Sequence, residues 1–357
     1  EIFSKLTAEQ KRVLSVLSIF REPVSIDALT DQKLNIDVLD SLVEQGLARQ
    51  VDSEVYDVHD LIREFLLRSI DDKLKIELHN KCSSWYQRSN DVSVFTIELI
   101  FHLVSSKNMV EAASIIVNKG RSLISAGHLE LLSLIESLEQ SELSVEVSTK
   151  INHYKGEILA LLGRFEDAKA AFTMAQEMAS SAKDVNTQAE LLSALADISL
   201  KQGNLDESLN MHLEALEIFI KLKDAIGAAR SYNNMGYILR RKNDKSKALE
   251  SYGEVESILN ENDDDELIGS QLILARSLMD LGEIERARDH ALEAFDKTDK
   301  LNDKQLHARA QAVLGRYYAK VGDSDVASHH YSQALDAMNE EGDILAMVDI
   351  TILLGEV

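Results

Sequence analysis

The sequence predicts an all-α protein in which helical hairpins recur about every 40 residues behind a smaller N-terminal module. Hydrophobic residues make up 45% of the 357 residues and aromatic residues only 5%, which is typical of closely packed helices. There is one proline, whereas a β-rich chain of this length with its many turns would carry more. Small residues recur at a fixed distance before a Gly or Asn, which indicates a repeated structural unit.

The repeat is defined by a small residue that stands seven positions before a turn residue. The small residues are Gly156, Ala196, Gly236, Ala275 and Gly315. The turn residues are Gly163, Gly203, Asn243, Gly282 and Gly322. Gly and Asn tolerate the left-handed backbone that ends a helix, so each is predicted to close the first helix of a hairpin. The intervals are 40, 40, 39 and 40 residues, and Gly355 is where a sixth repeat would continue.

A second set of positions follows each turn. A small residue comes five positions later, and four positions after it stand Phe172, His212, Tyr252, Ala291 and Tyr331. The larger side chains are expected to fill the gap between hairpins. This pattern resembles the tetratricopeptide repeat (TPR), and the resemblance implies a TPR-like α-α superhelix over residues 146–357. HEAT repeats have a similar period, but the Gly turn with Ala at fixed offsets favours the TPR.

The N-terminal residues predict a different module. Apolar spacing predicts helices over residues 6–19, 25–29, 35–45 and 59–70, with a capping box at Thr7 and Gln10. Residues 47–51 and 55–58 predict two short strands around a turn. This order predicts a winged-helix domain over residues 1–75, and residues 76–145 are expected to form a helical linker of irregular repeats.

The segment Val58-His59-Asp60 carries a second resemblance. It is similar to the "MHD" segment of STAND-class NTPases (NB-ARC and LuxR-type regulators), with Val in place of Met. The resemblance implies that His59 contacts the phosphates of ADP in the intact parent and that Asp60 supports it. A histidine that caps or is buried at the strand–helix junction is the alternative.

The sequence contains no Gly-x-x-x-x-Gly-Lys-Ser/Thr loop, so the chain is not expected to be an enzyme by itself. No cofactor is expected in this chain, although the resemblance implies ADP or ATP in a longer parent. Because the sequence begins at Glu1 and ends in a helical pattern, we expect it to be part of a longer protein. No catalytic residues and no metal site are predicted.

TPR geometry implies that positions 2, 5, 6, 9, 12 and 13 of each first helix face a groove, when the small residue is position 8. The predicted groove residues are Arg230, Asn233, Asn234, Tyr237, Arg240, Arg241, Arg276, Arg309, Arg316 and Lys320. A basic groove in a chain of net charge −23 predicts an acidic protein or peptide as its partner. The alternative is that these side chains are solvated and balance acidic second helices.

The remaining properties exclude several classes of protein. The third helix carries Asp37, Asp40 and Glu44 and no Lys or Arg, so DNA binding is not expected. No membrane span is predicted, and a single cysteine favours the cytoplasm. The favoured function is a regulatory sensor module of a STAND-type ATPase, with a stand-alone TPR scaffold as the alternative and a DNA-binding transcription regulator as the second alternative.

Overall fold

The computed structural model describes residues 5–32, 34–35, 37–88, 93–262, 264–301, 303–341 and 343–355. These residues form two compact units. Unit 1 comprises Glu1–Leu123 and Glu130–Leu143, and unit 2 comprises Ile124–Leu129 and Ser144–Val357.

Unit 1 begins with short helices interleaved with three strands. In chain order the elements are α1 (Ala8–Ile19), β1 (Val24–Ser25), α2 (Ile26–Asp31), α3 (Asp37–Glu44), β2 (Arg49–Asp52), β3 (Val55–Asp57) and α4 (Asp60–Ser69). Four further helices follow: α5 (Asp72–Arg88), α6 (Ser93–Ser105), α7 (Met109–Ser125) and α8 (Leu131–Glu136).

The three strands form an antiparallel sheet in the order β1-β3-β2. The predicted hairpin is therefore present, and the predicted capping box at Thr7 and Gln10 starts α1. Strand β1 was not predicted, because two residues are too few to show the alternation that identifies a strand. Its Val24 pairs with Tyr56 of β3.

A buried carboxylate fixes the start of α4 against this sheet. Asp57, the last residue of β3, accepts hydrogen bonds from Arg49 of β2 and Arg63 of α4, each at 2.5 Å. It also accepts one from the backbone N–H of Val58. Two charged donors compensate the burial of the carboxylate, so the strand–helix junction is held on both sides.

Unit 1 also contains a buried pair of histidines, His79 of α5 and His102 of α6, whose Nδ1 atoms are 2.8 Å apart. Burial lowers the pKa of His79 to about 4. Burial, and secondly the neighbouring His79, lowers the pKa of His102 well below its usual value. The pair is therefore neutral at pH 7, and one imidazole donates to the other.

Unit 2 is an array of antiparallel helical hairpins. The first helices of the successive hairpins are α9 (Val145–Leu161), α11 (Val185–Lys201), α13 (Ala225–Arg241), α15 (Ile268–Leu281) and α17 (Lys304–Val321). The second helices are α10 (Phe165–Ser181), α12 (Leu205–Leu222), α14 (Lys245–Glu261), α16 (Ile284–Leu301) and α18 (Ser324–Glu341). A short 3₁₀ helix, Asp265–Leu267, precedes α15, and α19 (Ile344–Gly355) follows α18.

The five turn residues identified in the sequence all have positive φ. The values are 72° for Gly163, 85° for Gly203, 60° for Asn243, 83° for Gly282 and 88° for Gly322. Each ends the first helix of a hairpin in the left-handed region, as the sequence predicts.

The small residue of the first helix packs on the large side chain of the second helix within the same hairpin, not between hairpins as expected. A Cβ built on Gly156 would stand 2.5 Å from the ring of Phe172, and one on Gly315 would stand 2.7 Å from the ring of Tyr331. The rings are buried, so the absence of a Cβ sets the close approach of the two helices.

Candidate functional site

The first helices of the later repeats line an open cavity of about 700 Å³ in unit 2. Helices α13, α15, α17 and α19 contribute most of its walls. The cavity is large enough for a small ligand or a few residues of a peptide.

The cavity follows the repeat register. Position 2 of successive first helices supplies Arg230, Gly269, Arg309 and Asp349. Positions 5 and 6 supply Leu272, Ile273, Ala312, Val313, Ile352 and Leu353. Position 9 supplies Arg276 and Arg316. The walls therefore carry charged side chains at positions 2 and 9, with Gly269 as the exception, and apolar side chains between them.

Four of the predicted groove residues meet in this cavity, namely Arg230, Arg276, Arg309 and Arg316. Two of these four arginines already form ion pairs within the protein. Arg309 lies 3.6 Å from Asp343, and Arg316 lies 2.9 Å from Asp280. Arg230 and Arg276 have no ion-pair partner among the described residues and are exposed.

The environment of Arg276 disfavours its charge. Surrounding protein atoms, and secondly the nearby Arg316, lower the pKa of the Arg276 guanidinium, while Asp349 and Asp280 oppose that shift. The side chain remains accessible to solvent because it lies in a concave wall. A bound anion would relieve the repulsion between the two guanidinium groups.

The other six predicted groove residues lie outside the cavity lining. Asn233 is buried, and its Nδ2 donates to the carbonyl oxygen of Ser270 at 3.0 Å. It therefore joins α13 to α15 and is not at the groove surface, contrary to the prediction. Asn234 donates to Asp197 of the preceding repeat at 3.3 Å.

Tyr237 is 38% exposed, and the guanidinium of Arg240 lies 5.2 Å from its ring centre. Arg240 is also 3.4 Å from Asp280. Arg241 and Lys320 are exposed. Three of these four side chains are basic and lie outside the cavity lining, so among the predicted groove residues only the arginines at positions 2 and 9 converge on one space.

Three carboxylates of the cavity were not predicted, namely Glu266, Asp343 and Asp349. Asp343 is buried and caps α19, since its side chain accepts from the backbone N–H of Ala346 at 3.0 Å. It also accepts from Gln305 at 2.7 Å. A cap residue before an apolar run is a recognisable signal, but its contact with α17 depends on packing that the sequence does not display.

His59 stands at the N-terminal boundary of α4 and is exposed, as is Asp60. The backbone oxygen of His59 accepts from Ile62 and Arg63, but its imidazole makes no capping hydrogen bond. The side chain is therefore neither a cap nor buried.

The described residues contain no cluster of three or more His, Cys, Asp or Glu side chains that could hold a metal ion. Within the same residues, none of the helices combines the length and the apolar character needed to cross a membrane.

Two family models of the tetratricopeptide repeat match the chain, over residues 187–261 and 269–293. These segments contain most of α11, all of α12, α13 and α14, most of α15 and part of α16. The TPR matches therefore cover two of the four helices that form most of the cavity wall, namely α13 and α15. TPR proteins are typically binding modules without catalytic activity, and the matching models describe no catalytic family. A search of curated protein sequences finds no match.

The solved structures that are similar to the chain include the following two. One is a Signal Transduction ATPase with Numerous Domains (STAND) protein with a tetratricopeptide repeat sensor from Pyrococcus horikoshii. It is 19% identical with a TM-score of 0.55, and the likeness covers 99% of this chain and 54% of that one. The chain therefore spans about half the length of that STAND protein.

The other is a Rap protein complexed with Competence and Sporulation Factor. It is 15% identical with a TM-score of 0.52, and the likeness covers 80% of this chain and 77% of that one. At these identities both likenesses show the fold alone, an all-helical TPR-like repeat array.

Proposed function

We propose that this chain is the sensor and binding module of a STAND-type signalling ATPase, and that its TPR-like array captures an acidic protein or peptide. The observation that carries the proposal is the convergence of four arginines, at repeated positions, on one cavity of the array. Guanidinium groups pair with carboxylates in two parallel hydrogen bonds, so this wall suits an anionic partner.

The proposed organisation assigns residues 1–75 to a winged helix, 76–145 to a helical linker and 146–357 to the repeats. The β1-β3-β2 sheet among four short helices supports the winged helix. The STAND protein of similar fold, whose sensor is a TPR, supports the context. In this proposal the winged helix relays occupancy of the repeats to a nucleotide-binding domain outside this chain, in the cytoplasm.

His59 and Asp60 are the proposed contacts to the nucleotide of that domain. Their exposure at the first turn of α4 supports this role, because the backbone N–H groups and the positive end of a helix N-terminus attract phosphate. The chain itself would hold no cofactor; ADP or ATP would be bound by the other domain.

A stand-alone TPR scaffold is the second candidate, supported by the repeat matches alone. A DNA-binding regulator is the third. It is disfavoured because Asp37, Asp40 and Glu44 of α3 are all exposed, and an acidic face repels the phosphate backbone.

Capture by the array is tested with the full chain as bait and quantitative mass spectrometry of the bound proteins. Arg230→Glu/Arg276→Glu should remove at least nine-tenths of the specific partner, because it reverses both unpaired charges. Arg288→Glu is the matched control, since Arg288 lies on the second helix α16 and pairs with Glu285 and Asp289. Equal recovery by the cavity variant and the control would contradict the proposal.

The STAND context has a separate test. The chain is mixed with the nucleotide-binding domain encoded with it in the parent gene, and retention of ADP is measured by equilibrium dialysis. His59→Ala should weaken ADP retention by at least tenfold. Unchanged retention would remove the proposed role of His59 and leave the scaffold candidate.

A further inference from the structure

A short segment of the chain, Ile124–Leu129, belongs to unit 2 with the repeats, although it precedes them in the sequence. It consists of the last two residues of α7 and the turn that follows them. The backbone N–H of Gly127 donates to the carbonyl oxygen of Ile124 at 3.0 Å, and that of Leu129 donates to Gly127 at 2.8 Å. Gly127 has a φ of 80°, which favours glycine over residues with a side chain. The shape of the segment is therefore set by its own backbone.

The segment contacts the first turn of α19 beside the cavity. A Cβ built on Gly127 would stand 3.5 Å from both the Cβ and the Cδ1 of Ile344, which is ordinary van der Waals distance. Ser125 of the segment lines the cavity, and so do Leu345 and Asp349 of α19. The contact between Gly127 and Ile344 therefore ties the α19 wall of the cavity to residues that precede the repeats.

Helix α19 is held less firmly than the other helices of the cavity wall. Among its described residues only Ile350 is buried, whereas α13, α15 and α17 each bury at least six residues. Ile344 is 51% exposed and Val348 is 53% exposed. A helix with few buried contacts separates from its neighbours at a lower free energy than a helix covered on several sides. The α19 wall is therefore the one that moves most easily.

We propose that the segment Ile124–Leu129 and helix α19 form a clasp that narrows the mouth of the cavity, and that the clasp opens to admit a polypeptide. In the closed state Gly127 lies against Ile344, and small molecules still pass. In the open state α19 separates from the segment. The inference rests on the proposed function, since it adds regulation to the cavity through which the array captures its partner. A lid of this kind makes the rate of capture depend on opening.

The closed contact is tested with pairs of cysteines in the full chain. Gly127→Cys/Ile344→Cys places two Cβ atoms 3.5 Å apart, within the range of a disulfide. Gly127→Cys/Val348→Cys is the matched control, since its second position lies one helical turn further along α19. Both pairs share the substitution at Gly127, so its backbone strain is common to them. The native Cys82 does not compete, because burial raises its pKa to about 12.

In oxidised glutathione the first pair should form its disulfide about tenfold faster than the control pair, because only the first matches disulfide geometry. Mass spectrometry of the linked peptides measures both rates. Equal rates would show that the segment is not held against Ile344, and the inference would be overturned.

Opening is measured with a reporter thiol, Ala312→Cys, in the α17 wall of the cavity. The two reagents are iodoacetamide, which is small, and a maleimide on a polyethylene glycol chain, which is bulky. Ile344→Ala removes the side chain that Gly127 contacts. It should therefore speed the bulky reagent about threefold and leave the small one unchanged.

Val348→Ala is the control for the reporter, since Val348 is exposed to the same extent on the same helix and should change neither rate. An unchanged rate for the bulky reagent in Ile344→Ala would show that the clasp does not limit entry. Equal acceleration of both reagents would show a general loosening of the repeats. Either result would overturn the inference.

The clasp and the proposed function can fail separately. If Arg230→Glu/Arg276→Glu removes the cellular partner but Ile344→Ala does not speed the bulky reagent, the array captures its partner through a cavity without a clasp. If Ile344→Ala speeds the bulky reagent but the charge reversal leaves capture unchanged, the clasp exists and the partner binds elsewhere.

Discussion

The five complete hairpins of unit 2 divide into two classes by how their helices meet. The first, third and fifth place a glycine against an aromatic ring: Gly156 with Phe172, Gly236 with Tyr252 and Gly315 with Tyr331. The second and fourth place alanines at the glycine position, opposite His212 and Ala291. The six-membered rings lie against glycine, whereas the smaller imidazole of His212 and the methyl group of Ala291 occupy the equivalent positions in the hairpins that carry alanine, so side-chain volume is shared across the pair. Two kinds of side-chain packing therefore support the same arrangement of the two helices in a hairpin.

Removing a ring from the first class should have the largest effect. Phe172→Ala deletes a buried aromatic side chain and leaves a cavity beside Gly156, which should cost about 3–5 kcal/mol of unfolding free energy. Urea denaturation followed by circular dichroism measures it. Trp85, the only tryptophan of the chain, lies in unit 1, so its fluorescence should keep its midpoint. A loss below 1 kcal/mol would mean that the ring does not hold the hairpin.

Acid should destabilise unit 1 through its buried histidine pair. The pKa of His79 is about 4 in the folded state, well below the ordinary histidine value of 6.5, so the unfolded state binds a proton that the folded state does not. Stability is therefore complete above pH 6.5 and falls as the pH decreases toward 4, by roughly 3 kcal/mol for this residue.

Trp85 fluorescence should report this loss in urea titrations at pH 7 and pH 4.5. His79→Leu/His102→Leu should remove most of the pH dependence, because neither leucine takes up a proton. A Trp85 midpoint that does not move with pH would show that the histidine pair is not neutral in the folded state.

Adding one methyl group at the glycine position tests the two classes of hairpin directly. In most helices Gly→Ala stabilises, yet Gly156→Ala should cost about 1–3 kcal/mol because the new Cβ would overlap the Phe172 ring. In the Phe172→Ala background the same change should instead stabilise, because it creates the Ala–Ala pair that the fourth hairpin already carries. A double-mutant cycle of Gly156→Ala and Phe172→Ala measures how far the two effects on the unfolding free energy depend on each other. Additive effects would contradict the idea that the two positions share one side-chain volume.

The turns should not distinguish the classes. Gly163 of the first hairpin and Gly203 of the second both have positive φ and open space where a Cβ would lie. Gly163→Ala and Gly203→Ala should therefore each cost about 1 kcal/mol from backbone strain alone, measured by urea denaturation. A clear difference between them would extend the two classes to the loops.

The sequence predicts the features that recur in every repeat. It does not predict the features that depend on a single tertiary contact. The positive-φ turns follow from the 40-residue spacing, because every repeat places its turn residue in the same backbone conformation. Asn233 was predicted incorrectly, since at that repeat α15 covers position 5 and its backbone accepts the Asn233 amide. The carboxylates of the cavity could not be predicted from spacing, because Glu266 lies in an irregular 3₁₀ segment.

Asp280 has a mechanical consequence. Its carboxylate meets Arg240 of the third repeat at 3.4 Å and Arg316 of the fifth at 2.9 Å, while Asp280 itself belongs to the fourth. A pull that draws α13 away from α17 must lengthen one of these two links. One carboxylate therefore connects three successive repeats, so a displacement of either outer helix is transmitted to α15.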